Sequence, residues 1–160
     1  MKIVELQKGN EYLEEGIKVF WKVWGTEDNY KFYENCILHS AETSEDLPRF
    51  YVAIENGIII GTYAILRNDI NSRQDLCPWF ACLFVDREYR GQEIGEKLLE
   101  HGLSEAAKKG YKKLYLTTDL ENYYEKYRWN HNGIAYGPSG GHIKIYEKST
   151  GLYIQKEFMA

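Results

Sequence analysis

The sequence predicts an α+β domain built on a mixed sheet. Three observations carry this reading: an Asn-Gly pair between two apolar runs, a continuous apolar segment of strand length, and a well-marked amphipathic helix soon after it. At 160 residues the chain fits a single domain, residues 1–160, large enough to bury about two-thirds of its unfolded surface.

"KIVEL" reads as a short strand and "NEYLEEGIKVFWKVWG" as a helix, because Leu13, Ile17, Phe20 or Trp21, and Trp24 recur at three-to-four spacing and Gly25 follows as a stop. A second helix is expected through "YKFYENCILHSAE" before the polar "TSEDLP". "RFYVAIENGIIIGTYAIL" reads as two strands joined at Glu55-Asn56-Gly57, where both turn residues must take positive φ. The polar "RNDINSRQDLCP" loops out, and "WFACLFV" then reads as a strand buried on both faces, with Cys82 in the core. Downstream, Ile94, Leu98, Leu99, Gly102, Leu103 and Ala106 share one helical face that Gly110 ends. "KKLYLTT" resumes as a strand. "DLENYYEKYRW" is expected to be a short helix, capped by Thr118 or Asp119 with Glu121 completing a capping box on Thr118. "GIAYG" and "HIKIYEK" close the chain as a strand pair around the turn at Pro138 to Gly141.

Composition excludes several classes of partner. A formal charge of -4, with acids and bases interspersed, argues against nucleic acid held by bulk electrostatics. The longest apolar run is too short to span a bilayer, so no membrane association is expected. Three cysteines without ligand spacing, and an N-terminus without the apolar core of a signal peptide, point to a reduced, cytoplasmic protein. The four histidines are scattered over different elements, and no metal is expected.

The chemistry concentrates in "DREYRGQEIGEKLLEHG". Glycine costs roughly 1 kcal/mol against alanine inside a helix, yet Gly91 and Gly95 both stand where a helix begins. A buried strand, an Arg-Gly turn and a helix start together suit an anion: the first helical turn leaves N–H groups unpaired, its dipole favours negative charge, and glycine admits close approach. The P-loop and dinucleotide fingerprints are both missing.

"LFVDREYRGQEIGEKLL" resembles the signature of the GNAT acetyl-CoA-dependent N-acetyltransferases, Arg/Gln-x-x-Gly-x-Gly/Ala opening a helix after a strand that ends near valine. Val85, Arg90, Gly91, Ile94, Gly95, Leu98 and Leu99 fit it. "YYEKYRW" resembles that family's later Phe-Tyr-Glu-Lys-x-Gly-Phe element. This chain departs from the pattern at Glu93 and Arg128, where the family usually has glycine.

The resemblance implies a three-layer fold. Its mostly antiparallel sheet of six to seven strands would be splayed between strands 4 and 5 and flanked by helices. It implies acetyl-CoA as cosubstrate, with the pantetheine arm on Leu83, Phe84 and Val85 and the pyrophosphate at Arg90, Gly91, Gln92, Glu93, Ile94, Gly95 and Glu96. It further implies direct attack by a primary amine of a small molecule or peptide, an oxyanion held by a strand N–H, and Tyr124 as the acid that protonates the leaving thiolate. The fourth strand has no acid where many members place a glutamate base; Asp119 is nearest by position, and a water chain is the alternative. Trp21, Trp24, Tyr30, Phe32 and Tyr33 fall where the family roofs its acceptor site, and ordinary helix packing explains them equally well. A non-catalytic acyl-CoA sensor or docking module of the same fold is the rival reading, and pairing as a homodimer stays open.

Overall fold

The computed structural model describes residues 1–151. Seven strands are present: β1 (Lys2–Glu5), β2 (Arg49–Glu55), β3 (Ile58–Leu66), β4 (Trp79–Val85), β5 (Lys113–Thr118), β6 (Asn130–Tyr136) and β7 (His142–Ser149). The helices are α1 (Leu13–Trp24), α2 (Tyr30–Glu42) and α3 (Ile94–Lys108), with 3₁₀ turns at Arg87–Tyr89 and Tyr124–Tyr127. The sheet is mixed, in the order β1-β2-β3-β4-β5-β7-β6, and its β4–β5 pair is parallel. Contacts group the chain into two compact units, Met1–Ala64 with Cys82–Leu98, and Ile65–Ala81 with the chain from Leu99 on.

In the first unit β1 runs antiparallel to β2, with Lys2 opposite Ile54 and Glu5 opposite Tyr51. The β2–β3 turn forms as expected, with φ 51° at Asn56 and 77° at Gly57. Helix α1 buries Ile17 and Phe20, and the Phe20 ring meets Phe50 edge-on at 5.2 Å. Helix α2 is tied to the start of β2: the Ser40 hydroxyl donates to the Pro48 carbonyl at 2.6 Å, and Arg49 Nη1 donates to the Ser40 carbonyl at 2.7 Å. Gly61 on β3 permits a close approach to β4. A Cβ there would stand 2.8 Å from the Phe84 carbonyl oxygen and 3.2 Å from Leu98 Cδ1.

In the second unit β7 is central, antiparallel to β5 from Lys113↔Ser149 to Thr118↔Lys144 and to β6 from Asn130↔Glu147 to Tyr136↔His142. The parallel ladder places Trp79 of β4 opposite Tyr115 of β5. Trp79 is fully buried with Ala135 and Ile145, its polar edge satisfied by an Nε1 donation to the Leu76 carbonyl at 2.7 Å. Helix α3 ends in a Schellman motif: Tyr111 N–H donates to the Ala106 carbonyl and Gly110 N–H to Ala107, both at 3.0 Å.

Four expectations need correction. Cys82 is half-buried rather than enclosed in the core, and its backbone is left-handed at φ 58°. The stretch 119–129 forms only the turn Tyr124–Tyr127, because Asn122 and Arg128 take φ 59° and 65° and interrupt any helix. No capping box forms: the Thr118 hydroxyl accepts from Leu120 N–H at 2.9 Å, while the Glu121 carboxylate pairs with Lys144 at 3.1 Å. A local side-chain-to-backbone turn has won over a helix start. The sixth strand also begins earlier than Gly133, at Asn130, with a register shift between His131 and Ile134.

Candidate active site

The second half of β4 carries the first group of candidate residues. Trp79, Phe80 and Ala81 are buried, whereas Cys82, Leu83, Phe84 and Val85 are each half-exposed. The change falls at the left-handed Cys82, a conformation that costs a non-glycine residue roughly 1–2 kcal/mol. The buried Thr62 hydroxyl holds it, donating to the Cys82 carbonyl at 2.8 Å. A strand kinked in this way redirects its amides out of the regular ladder.

Beyond Val85 the chain turns on Asp86. Its amide donates to the Ile60 carbonyl at 2.7 Å, and its side chain accepts from Glu88 N–H at 3.0 Å. Arg90 Nε donates to the Val85 carbonyl at 3.0 Å, so the arginine braces the turn against the strand end. Gly91 takes φ 82°, and a Cβ built there would meet no atom within 4 Å. Glu93 is left-handed at φ 62° and exposed, and its carbonyl accepts the first helical bond from Lys97 N–H at 3.1 Å. It is therefore the residue that caps α3. The amides just ahead of Lys97 have no acceptor within the helix, and open space lies beside Gly91 where they begin. That arrangement fits an anionic diphosphate.

The backbone also accounts for the two departures from the motif. Glu93 and Arg128 stand where glycine is usual, and both are left-handed. Glycine would relieve about 1–2 kcal/mol of strain at each while adding about 0.5–1 kcal/mol of unfolded-state entropy. Glu93→Gly and Arg128→Gly should each stabilise the protein by about 0.5–1 kcal/mol, read as a higher urea midpoint. Lower midpoints would show that the side chains contribute more than the strain costs.

Tyr124 lies in the second unit, in the 3₁₀ turn, and is 7% exposed. Its ring meets Tyr123 at 4.9 Å, Tyr146 at 6.0 Å and Trp129 at 6.2 Å. Burial, and then the neighbouring Tyr123, push its hydroxyl up to about 12. It stays protonated through the neutral range, as a proton donor must.

The aromatic residues of α1 and α2 divide between the two readings. Trp21 packs edge-on against Tyr30 at 5.3 Å and donates from Nε1 to the Thr26 carbonyl at 2.6 Å. Trp24 and Phe32 are exposed, at 42% and 54%. Tyr33 is close enough to Cys82 that burial, followed by the Cys82 and Cys36 thiols, pushes its hydroxyl up. Among the described residues there is no cluster of metal-ligating side chains, and no helix long and apolar enough to cross a membrane.

Sequence reasoning missed Asp69, since an acid in a polar loop reads as solvated. In the fold the Thr117 side chain hydrogen-bonds to it, and burial pushes its carboxyl from 3.8 up to about 6. Between those two values the native state holds a proton that the unfolded chain has lost, so stability falls as pH rises through this window. About two units at 1.36 kcal/mol each, reduced for partial exposure, gives about 2 kcal/mol. Asp69→Asn should therefore gain about 2 kcal/mol over the unsubstituted protein between pH 4 and pH 7.5 in urea titrations. An equal difference at both pH values would contradict the buried acid.

Comparison with known proteins bears on the family and the fold. The chain is 33% identical over 76 residues to N-alpha-acetyltransferase 30 of Schizosaccharomyces pombe (strain 972 / ATCC 24843), spanning 47% of this chain and 50% of that protein. The fold is similar to that of an aminoglycoside 6'-N-acetyltransferase complexed with coenzyme A, at TM-score 0.68 and 16% identity over 94% of this chain and 97% of that one. It is also similar to a GNAT family acetyltransferase from Elizabethkingia anophelis with acetyl-CoA bound, at TM-score 0.62 and 17% identity over 92% and 97%. Residues 10–128 match the acetyltransferase (GNAT) family, and the chain belongs to that family.

Proposed function

We propose that the protein transfers the acetyl group of acetyl-CoA to a primary amine by direct attack. The observation that carries this reading is the run from the left-handed Cys82 into the Gly91–Glu96 turn, where a half-exposed strand end leads to a helix start that is open at Gly91. Acetyl-CoA would supply an activated acyl carbon; the protein supplies position, charge stabilisation and a proton.

Leu83, Phe84 and Val85 offer backbone groups to an extended arm as an added strand would. The amides of Gly91, Gln92, Glu93, Ile94, Gly95 and Glu96 would face the diphosphate, with Glu93 capping the helix, while the Arg90 amide is taken up by the Arg87 carbonyl and its side chain braces the turn. A β4 N–H beside Cys82 donates to the oxyanion as the new C–N bond forms. When the C–S bond breaks, Tyr124 gives its proton to the departing sulfur and regains one from solvent. A phenol raised to about 12 is a weak acid, so it acts late, once negative charge has developed on sulfur. The proton lost by the amine leaves through water, since β4 offers no carboxylate.

Direct attack predicts no covalent acyl-enzyme, although Cys82 stands beside the proposed cradle. Intact-mass measurement after incubation with acetyl-CoA alone should show unmodified protein, and Cys82→Ser should keep turnover within about threefold. An acetylated Cys82, together with loss of activity in the serine variant, would replace this mechanism with a two-step one.

A further inference from the structure

Thr62 is wholly buried on β3, in the largely apolar strand Ile58–Leu66. Such a position suits valine, because a buried hydroxyl costs free energy unless it is hydrogen-bonded. Here the hydroxyl is used: it donates to the Cys82 carbonyl at 2.8 Å. The two residues before it also shape β4. The Ile60 carbonyl accepts from Asp86 N–H at 2.7 Å, and Gly61 leaves room for the Phe84 carbonyl oxygen, which an added Cβ would approach to 2.8 Å. The half-exposed stretch from Cys82 to Val85 is therefore gripped at both ends by β3, with one carbonyl lodged against Gly61 between them. All of these residues belong to the first unit.

The grip at Cys82 has a direction. A trans peptide is planar, so a carbonyl and the N–H of the next residue point opposite ways across one bond. The Cys82–Leu83 bond is trans. With the Cys82 carbonyl turned to the Thr62 hydroxyl, the Leu83 N–H is turned away from that hydroxyl, and Cys82 takes φ 58° in the process. A non-glycine residue avoids that backbone unless its surroundings hold it there. Thr62 supplies the hold from a position closed to solvent and to ligand.

We infer that the Leu83 N–H is the β4 donor to the acetyl oxygen, and that Thr62 is the positioning residue that aims it. Thr62 acts through the peptide plane between Cys82 and Leu83, without touching the substrate. The assignment of the acetyl oxygen rests on the acetyl-CoA site proposed above, whereas the brace does not.

The test is amide hydrogen exchange followed by NMR on the full chain, with no ligand, with CoA and with acetyl-CoA. CoA lacks the acetyl oxygen, so exchange at Leu83 should slow at least tenfold more with acetyl-CoA than with CoA. Thr62→Val keeps the shape and removes the donor. It should quicken ligand-free exchange at Leu83 and Phe84 by about tenfold, leave β1 and β2 unchanged, and abolish the difference between acetyl-CoA and CoA. Thr62→Ser keeps the donor and should behave as the unsubstituted protein. Should Thr62→Val not accumulate as folded protein, Thr62→Cys, a weaker donor of similar size, takes its place and should show a smaller shift in the same direction. In turnover with 1,4-diaminobutane and glycinamide as amines, Thr62→Val should lower kcat about ten- to a hundredfold while acetyl-CoA affinity stays within about threefold. Equal slowing of Leu83 by CoA and acetyl-CoA, or unchanged Leu83 exchange in Thr62→Val, would overturn the inference. So would a loss of acetyl-CoA affinity as large as the loss of kcat, which marks a merely structural role. Leu83 protected by acetyl-CoA as expected, with no thiol released by any amine, would keep the inference and count against the transferase reading. Amine-dependent thiol release that is indifferent to Thr62→Val would do the reverse.

Discussion

Tyr124→Phe is expected to lower turnover by about a hundredfold or more while acetyl-CoA binds within about twofold of its original affinity. The substitution deletes only a hydroxyl. The ring keeps its edge-on contacts with Tyr123 and Trp129, so the turn that presents it has no reason to move. What is lost is the proton held ready through the neutral range by a hydroxyl pushed up to about 12. Steady-state kinetics at saturating acetyl-CoA, paired with calorimetry, separate the two effects. Unchanged turnover would remove Tyr124 from the chemistry and leave it a packed aromatic.

Gly91→Val should weaken acetyl-CoA by about tenfold or more, with a much smaller loss of stability. A β-branched residue is a poor occupant of φ 82°, so the turn must shift to accept it. Among the described residues, no atom beyond the two chain neighbours lies within 4 Å of an added Cβ, so the substitution leaves internal packing alone. The damage therefore falls on the turn proposed to hold the diphosphate. Equal affinity with normal folding would separate this turn from acetyl-CoA.

Much of the architecture was legible because its signals are local. Asn56-Gly57 announced its hairpin, the apolar run Trp79–Val85 its strand, and the periodic face from Ile94 with Gly110 beyond it a helix that ends as expected. The stretch 119–129 misled because helix-like composition there competes with a hydroxyl-to-backbone turn at Thr118, which only the fold decides. Cys82 was read as a core residue because nothing in a continuous apolar run marks one position as left-handed. Its conformation depends on Thr62, twenty residues earlier on a neighbouring strand.

Candidate residues show the same division. The glycine turn and Tyr124 are candidates that the motifs propose, and the left-handed backbone at Glu93 and Arg128 suits the glycine that the motifs have there. Asp69 could not be found this way, since its burial arises in a loop hydrogen-bonded to Tyr136, sixty-four residues away from Ser72.

The account stands most directly on release of free thiol from acetyl-CoA in the presence of a panel of primary amines, with the product confirmed by mass. It predicts amine-dependent thiol release, one acetyl group gained by the amine for each thiol released, and loss of the signal in Tyr124→Phe. Tight acetyl-CoA binding with no thiol release from any amine would contradict it, and would make the protein an acyl-CoA-binding module that has kept the transferase fold.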